Sequence, residues 1–125
     1  MPRVLALVPD LMFGSRLLAA AEAAGIELER VGDAATVRER LADADAAAPG
    51  WDVLVVDLTD ASLDGAGLVA ALRADGRLPS TRTLGFYAHV EVAARERAEQ
   101  AGFDLVVPRS RMAREGGVLL QRLSR

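Results

Sequence analysis

Apolar and β-branched residues cluster in five short stretches along the chain. Val4-Leu5-Ala6-Leu7-Val8, Val53-Leu54-Val55-Val56 and Leu105-Val106-Val107 are apolar at every position. That is the pattern of a strand covered on both faces. Residues 26–31 and 83–87 are less pure. Ile26-Glu27-Leu28-Glu29 alternates instead, which suits the edge of a sheet. The intervening segments carry helical spacing. Leu17, Leu18, Ala21 and Ala24 form one face before Gly25, a helix stop. Val37 and Leu41 are four apart behind Asp33, a fair N-cap. Leu68 and Leu72 follow Asp64-Gly65, Ala94, Ala98 and Ala101 precede Gly102, and Met112, Gly116, Leu119 and Leu123 form the last stripe. Gly116-Gly117 weakens that helix by roughly 1 kcal/mol per glycine relative to alanine.

Strands alternating with helices require parallel pairing through right-handed crossovers. The expected fold is a single α/β domain over residues 1–125, a doubly wound (βα)₅ parallel sheet of five strands in flavodoxin-like order 2-1-3-4-5. Residues 44–50 form the only loop of note. Ligands of such sheets sit beyond the carboxyl ends of the strands, which directs attention to Pro9 and Asp10, to residues 57–60, to Tyr87, Ala88 and His89, and to residues 108–110.

Composition narrows the chemistry. The 125 residues hold 15 basic and 18 acidic side chains, a net charge of −3. Nucleic-acid binding needs a basic face that releases counterions and is not expected. With no cysteine, disulfides, thiolate metal sites and cysteine nucleophiles are excluded. Every basic residue is arginine, so there is no lysine for a Schiff base or a phosphate-binding loop. The apolar stretches are far shorter than a membrane span, and no signal-peptide pattern opens the chain. The expectation is a cytoplasmic domain that is not an enzyme.

Asp57 directly follows four apolar strand residues. A half-buried carboxylate there is costly without partners, and its readings are a turn cap, a nucleophile or a metal ligand. His89 reads as an exposed loop residue. As a ligand beside Asp57, Asp60 or Asp10 it lacks a spaced partner. Gly65-x-Gly67 is no dinucleotide fingerprint, because it lacks the third glycine and does not directly follow a strand. Trp51 opens the third strand and is expected to pack on a neighbouring helix. Arg95, Arg97 and Glu99 on the fourth helix, and Arg111, Arg114 and Arg122 on the fifth, read first as solvated faces.

Taken as a set, Asp57, Asp64-Gly65, Ala88 and Ala101-Gly102-Phe103-Asp104 resemble the receiver domain of bacterial response regulators over essentially the whole chain. The resemblance places on Asp57 the role of phosphoryl acceptor from a histidine kinase. It also implies an acidic pair after the first strand to hold Mg²⁺, a Ser or Thr after the fourth, and a Lys after the fifth. The metal would neutralise the attacking carboxylate and the phosphate oxygens.

This chain departs at each of those positions. Val8 and Pro9 match the acidic pair, with Asp10 one place later. Tyr87 stands for the small hydroxyl. Arg109 stands for the lysine, with the charge kept but the point ammonium exchanged for a planar fork. Val106 takes the place of the family's mobile aromatic on the fifth strand. A residual metal site would rest on Asp10 and Asp57 alone, so no cofactor is expected and Mg²⁺ is not favoured.

The expectation is a degenerate receiver, a pseudo-receiver, in which Asp57 and Arg109 form a bidentate pair and Tyr87 or Arg109 occupies the phosphate space. It would act by binding a protein partner of a bacterial signalling pathway. The family's dimer surface of fourth helix, fifth strand and fifth helix falls on Arg95, Glu99, Arg111 and Arg114, where mixed charges suit an isologous contact. The alternatives are a working phosphoacceptor with an unusual metal site, and a small flavodoxin-like ligand-binding domain.

Overall fold

Burial along the first strand has a period of two. Val4, Ala6 and Val8 belong to one core cluster, Leu5 and Leu7 to the other. All five are fully or almost fully buried, so a run apolar at every position serves two helical layers at once. The computed structural model describes residues 1–44, 50–60, 62–88 and 91–125. The strands are β1 (Arg3–Leu7), β2 (Glu27–Val31), β3 (Val53–Asp57), β4 (Arg82–Tyr87) and β5 (Leu105–Pro108). The helices are α1 (Leu11–Ala23), α2 (Ala34–Ala44), α3 (Gly65–Ala74), α4 (Val92–Ala101) and α5 (Arg109–Leu123). Of the loop expected over 44–50, residues 45–49 lie outside the described residues.

The sheet is parallel throughout, in the order β2-β1-β3-β4-β5, as the alternation of elements requires. The glutamate-bearing β2 lies at an edge. Phe13, Leu17 and Ala21 of α1 join Met112, Leu119 and Leu120 of α5 on one face of the sheet. Val37 and Leu41 of α2, Leu68, Val69 and Leu72 of α3, and Ala98 of α4 cover the other. Trp51 packs in this second layer and donates its indole N–H to the Arg40 carbonyl of α2 (3.3 Å).

Gly116 and Gly117, unfavourable for α5 in isolation, have a packing reason. A Cβ on Gly116 would stand 3.2 Å from Leu17 Cδ1, and one on Gly117 would stand 3.1 Å from the Ala20 carbonyl oxygen. The missing side chains let α5 lie directly on α1. That contact sets the start of α5 beside the start of α1, where the site is built.

Candidate functional site

Parallel strands bring their carboxyl ends to one edge of the sheet, and the turns that follow present Asp10, Asp57, Tyr87 and Arg109 there. Asp57 is the last residue of β3 and is 3% exposed. Its Oδ1 accepts from the Thr59 amide (2.8 Å) and from the Thr59 hydroxyl (2.6 Å). The backbone beyond it stays tied to the sheet, with the Leu58 amide donating to the Phe86 carbonyl (2.9 Å). Side chains that bond the backbone two residues on are turn formers, and Asp60 repeats the device with Ser62. Asp64 then caps α3 by accepting from the Gly67 amide (3.0 Å).

Leu58, between Asp57 and Thr59, is held in a close fit. A Cβ on Gly85 in β4 would stand 2.8 Å from Leu58 Cδ1, and one on Gly65 would stand 2.9 Å from Leu58 Cδ2. Val56 Cγ1 closes the space at Gly65 further (2.6 Å) and the Phe103 ring that at Gly85 (3.0 Å), so neither position has room for a Cβ.

Asp10 is the N-cap of α1. Its Oδ1 accepts from the Met12 (2.9 Å) and Phe13 (3.1 Å) amides, satisfying two otherwise unpaired donors of the first turn. Its Oδ2 accepts from the Arg109 guanidinium (3.0 Å). The Phe13 amide above all, and then Arg109, hold the Asp10 carboxyl below its ordinary range. The Arg109 guanidinium also lies over the Phe13 ring, 4.6 Å from its centroid. That ring stacks in turn on Phe86 of β4, centroid to centroid 4.8 Å at an interplanar angle of 31°.

The expected Asp57–Arg109 pair is therefore not formed: the arginine takes Asp10. The reason is local. Asp57 is turned onto Thr59, whereas the cap position of Asp10 lies beside an aromatic platform for a planar cation. Tyr87 is 8% exposed at the end of β4, close to Arg95 of α4. The bond to Glu99 chiefly raises the Arg95 pKa, with Tyr87 acting in the same direction. His89 lies outside the described residues.

Arg30, on β2, reaches the same edge and was not foreseen from the sequence. Its guanidinium donates to the Val8 carbonyl (2.7 Å) and its stem crosses Gly14 of α1. An arginine in an edge strand, opposite a helix glycine, was the available signal. Two guanidiniums thus border the end of β1. Among the described residues, no three His, Asp or Glu side chains stand together to hold a metal ion. The side chains of Val8 and Pro9 offer no donor to one, and the Asp10 carboxylate is already engaged on both oxygens. The described residues at this edge do not fit an Mg²⁺ centre. The charged residues expected at an interface are paired within their helices: Arg95 with Glu99 (2.8 Å), Arg111 with Glu115 (3.3 Å) and Arg114 with Glu115 (3.7 Å).

No family model matches the chain, and no curated protein matches it. Solved structures do. A putative response regulator from Chloroflexus aurantiacus superposes with a TM-score of 0.84 at 17% identity, covering 99% of this chain and 98% of that one. The receiver domain of TorR, response regulator of a TMAO respiratory system, gives 0.82 at 17% identity, covering 98% and 96%. The Vibrio cholerae chemotaxis protein CheY4 gives 0.77 at 23% identity, covering 98% of each. With strand order, helix placement and near-complete coverage in agreement, the chain has the flavodoxin-like fold of a response-regulator receiver domain.

Proposed function

We propose that this protein is a receiver-like signalling module of a bacterial pathway that acts by binding a protein partner, without Mg²⁺-dependent phosphorylation of Asp57. The observation that carries this reading is the engagement of Asp10. Phosphoryl transfer to a carboxylate brings two anions together, and a divalent cation held by acidic side chains offsets that repulsion. Here Asp10 is the one acid at the end of β1, and it is spent on the α1 amides and on Arg109. Arginine gives Asp10 a fixed countercharge but offers no coordination sphere to phosphate and carboxylate together.

On this reading Asp57 is a relic of the acceptor that now shapes the β3–α3 turn. Tyr87 and Arg109 hold one arrangement of the edge instead of switching between two. The partner surface is α4, β5 and α5, where Arg95, Glu99, Arg111 and Arg114 would exchange helix-internal pairs for intermolecular ones, with a second copy among the candidates. Among the described residues no helix is long and apolar enough to cross a membrane, and the partner is sought among proteins of the cytoplasm.

The test is incubation with Mg²⁺ and acetyl phosphate followed by intact mass measurement. The expected result is no adduct. A phosphate adduct that disappears in Asp57→Asn would establish the rival reading, a working acceptor with an unusual metal site.

A further inference from the structure

At the opposite edge of the sheet, beyond the amino ends of β3, β4 and β5, lies a cleft of about 600 Å³. It is bounded by Asp52, the loop from α3 to β4, Asp104 and the end of α5. Its volume is that of a small-molecule site, and its charged lining sets it apart from an apolar one. Arg73, Arg82 and Arg125 face it together with the exposed Ser80.

The two carboxylates in the wall are already engaged. Asp104 Oδ2 accepts from the Thr83 amide (2.7 Å), the Thr83 hydroxyl (3.1 Å) and Arg73 (3.1 Å). Asp52 Oδ2 accepts from the Arg3 amide (2.8 Å). The donors are in surplus. Among the described residues neither Arg82 nor Arg125 is paired with a carboxylate. Arg73 is committed to the wall itself, its Nη2 donating to Thr83 Oγ1 (3.0 Å) and Asp104 (3.1 Å), which leaves Arg82 and Arg125 as the available cations.

We propose that this cleft binds a phosphate ester. Arg82 and Arg125 are the charge partners of its phosphate, Ser80 donates a further hydrogen bond, and the remaining carboxylate lone pairs of Asp52 and Asp104 accept from the ester's hydroxyl or amino groups. Arginine suits this role because its fork meets two phosphate oxygens at once. The site is separate from the Asp57 edge and stands whether or not Asp57 accepts a phosphoryl group.

The test is titration of the ¹⁵N-labelled chain with glycerol 3-phosphate and with AMP, free of divalent metal and at constant ionic strength. The expected result is saturable shifts of the Ser80, Arg82 and Ser124 amides with both probes. Arg82→Gln weakens binding about tenfold, the scale of one charge-assisted hydrogen bond. Arg16→Gln, which removes an exposed arginine elsewhere, and Asp57→Asn leave affinity unchanged. Shifts that do not saturate, that persist undiminished in Arg82→Gln, or that fall on the Asp57 edge would each overturn the proposal.

Discussion

Replacing Gly85 by alanine adds one methyl group where the structure has no room for it. The new Cβ would stand 2.8 Å from Leu58 Cδ1 and 3.0 and 3.1 Å from two ring carbons of Phe103, against an unstrained carbon–carbon separation of about 3.5–4.0 Å. Leu58 is half-buried and can swing; Phe103 is buried in the α2–α4 layer and cannot retreat far. Overpacking of this kind costs about 1–3 kcal/mol. Against it stands the reduced freedom of the unfolded chain, about 0.4–1 kcal/mol when glycine becomes alanine. The clash is the larger effect, leaving a net loss of about 1–2 kcal/mol. Urea denaturation reads that as a midpoint lowered by roughly 0.5–1 M for a slope near 2 kcal/mol per M. In the Leu58→Ala background the cost should shrink by at least about 0.5 kcal/mol, the usual coupling of touching residues. Because Leu58 follows Asp57, the Thr59 amide resonance should move as well. A Gly85→Ala protein as stable as the parent would refute the reasoning. So would a cost unchanged in both the Leu58→Ala and Phe103→Leu backgrounds.

Asp10 titrates below its ordinary value of 3.8 because the folded state favours its charged form. Its contribution to stability is therefore present above that value and is lost as pH falls through the lower folded value, a midpoint that carboxyl ¹³C shifts measure directly. In Arg109→Ala the midpoint should rise yet stay depressed, since the Phe13 and Met12 amides remain; a full return to the ordinary value would assign the whole effect to the arginine. Thr83→Val keeps the shape of a fully buried residue but removes the hydroxyl shared by Asp104 and Arg73. It should cost about 1–3 kcal/mol in urea or thermal melts, and a neutral result would show that water replaces the hydroxyl without penalty.

The fold was legible because two-sided burial leaves a plain mark. A strand such as Val53-Leu54-Val55-Val56 has no polar position, and the alternation at Ile26-Glu27-Leu28-Glu29 marked the edge where β2 lies. Helix ends at Gly25 and Gly102 were equally plain, both glycines having positive φ. The edge location of Asp57, Tyr87 and Arg109 followed from the same reading. The pairing did not, because Asp57 and Asp10 are both carboxylates within the expected edge and only loop geometry chooses between them. The Thr59 amide and hydroxyl claim Asp57, and the α1 cap with its Phe13 ring draws Arg109 to Asp10. Arg30 escaped notice because its partner is a backbone carbonyl, and an edge-strand arginine opposite a helix glycine does not by itself name that partner.

A dissolved ion occupies its seat in proportion to its concentration, whereas the guanidinium of Arg109 is carried by the chain itself and is present in every copy. Salt screens this half-exposed pair, but no dissolved cation has to bind for Asp10 to have a countercharge. Chelators, competing divalent ions and dilution leave that countercharge in place, and its position is set by how the start of α5 sits against the start of α1.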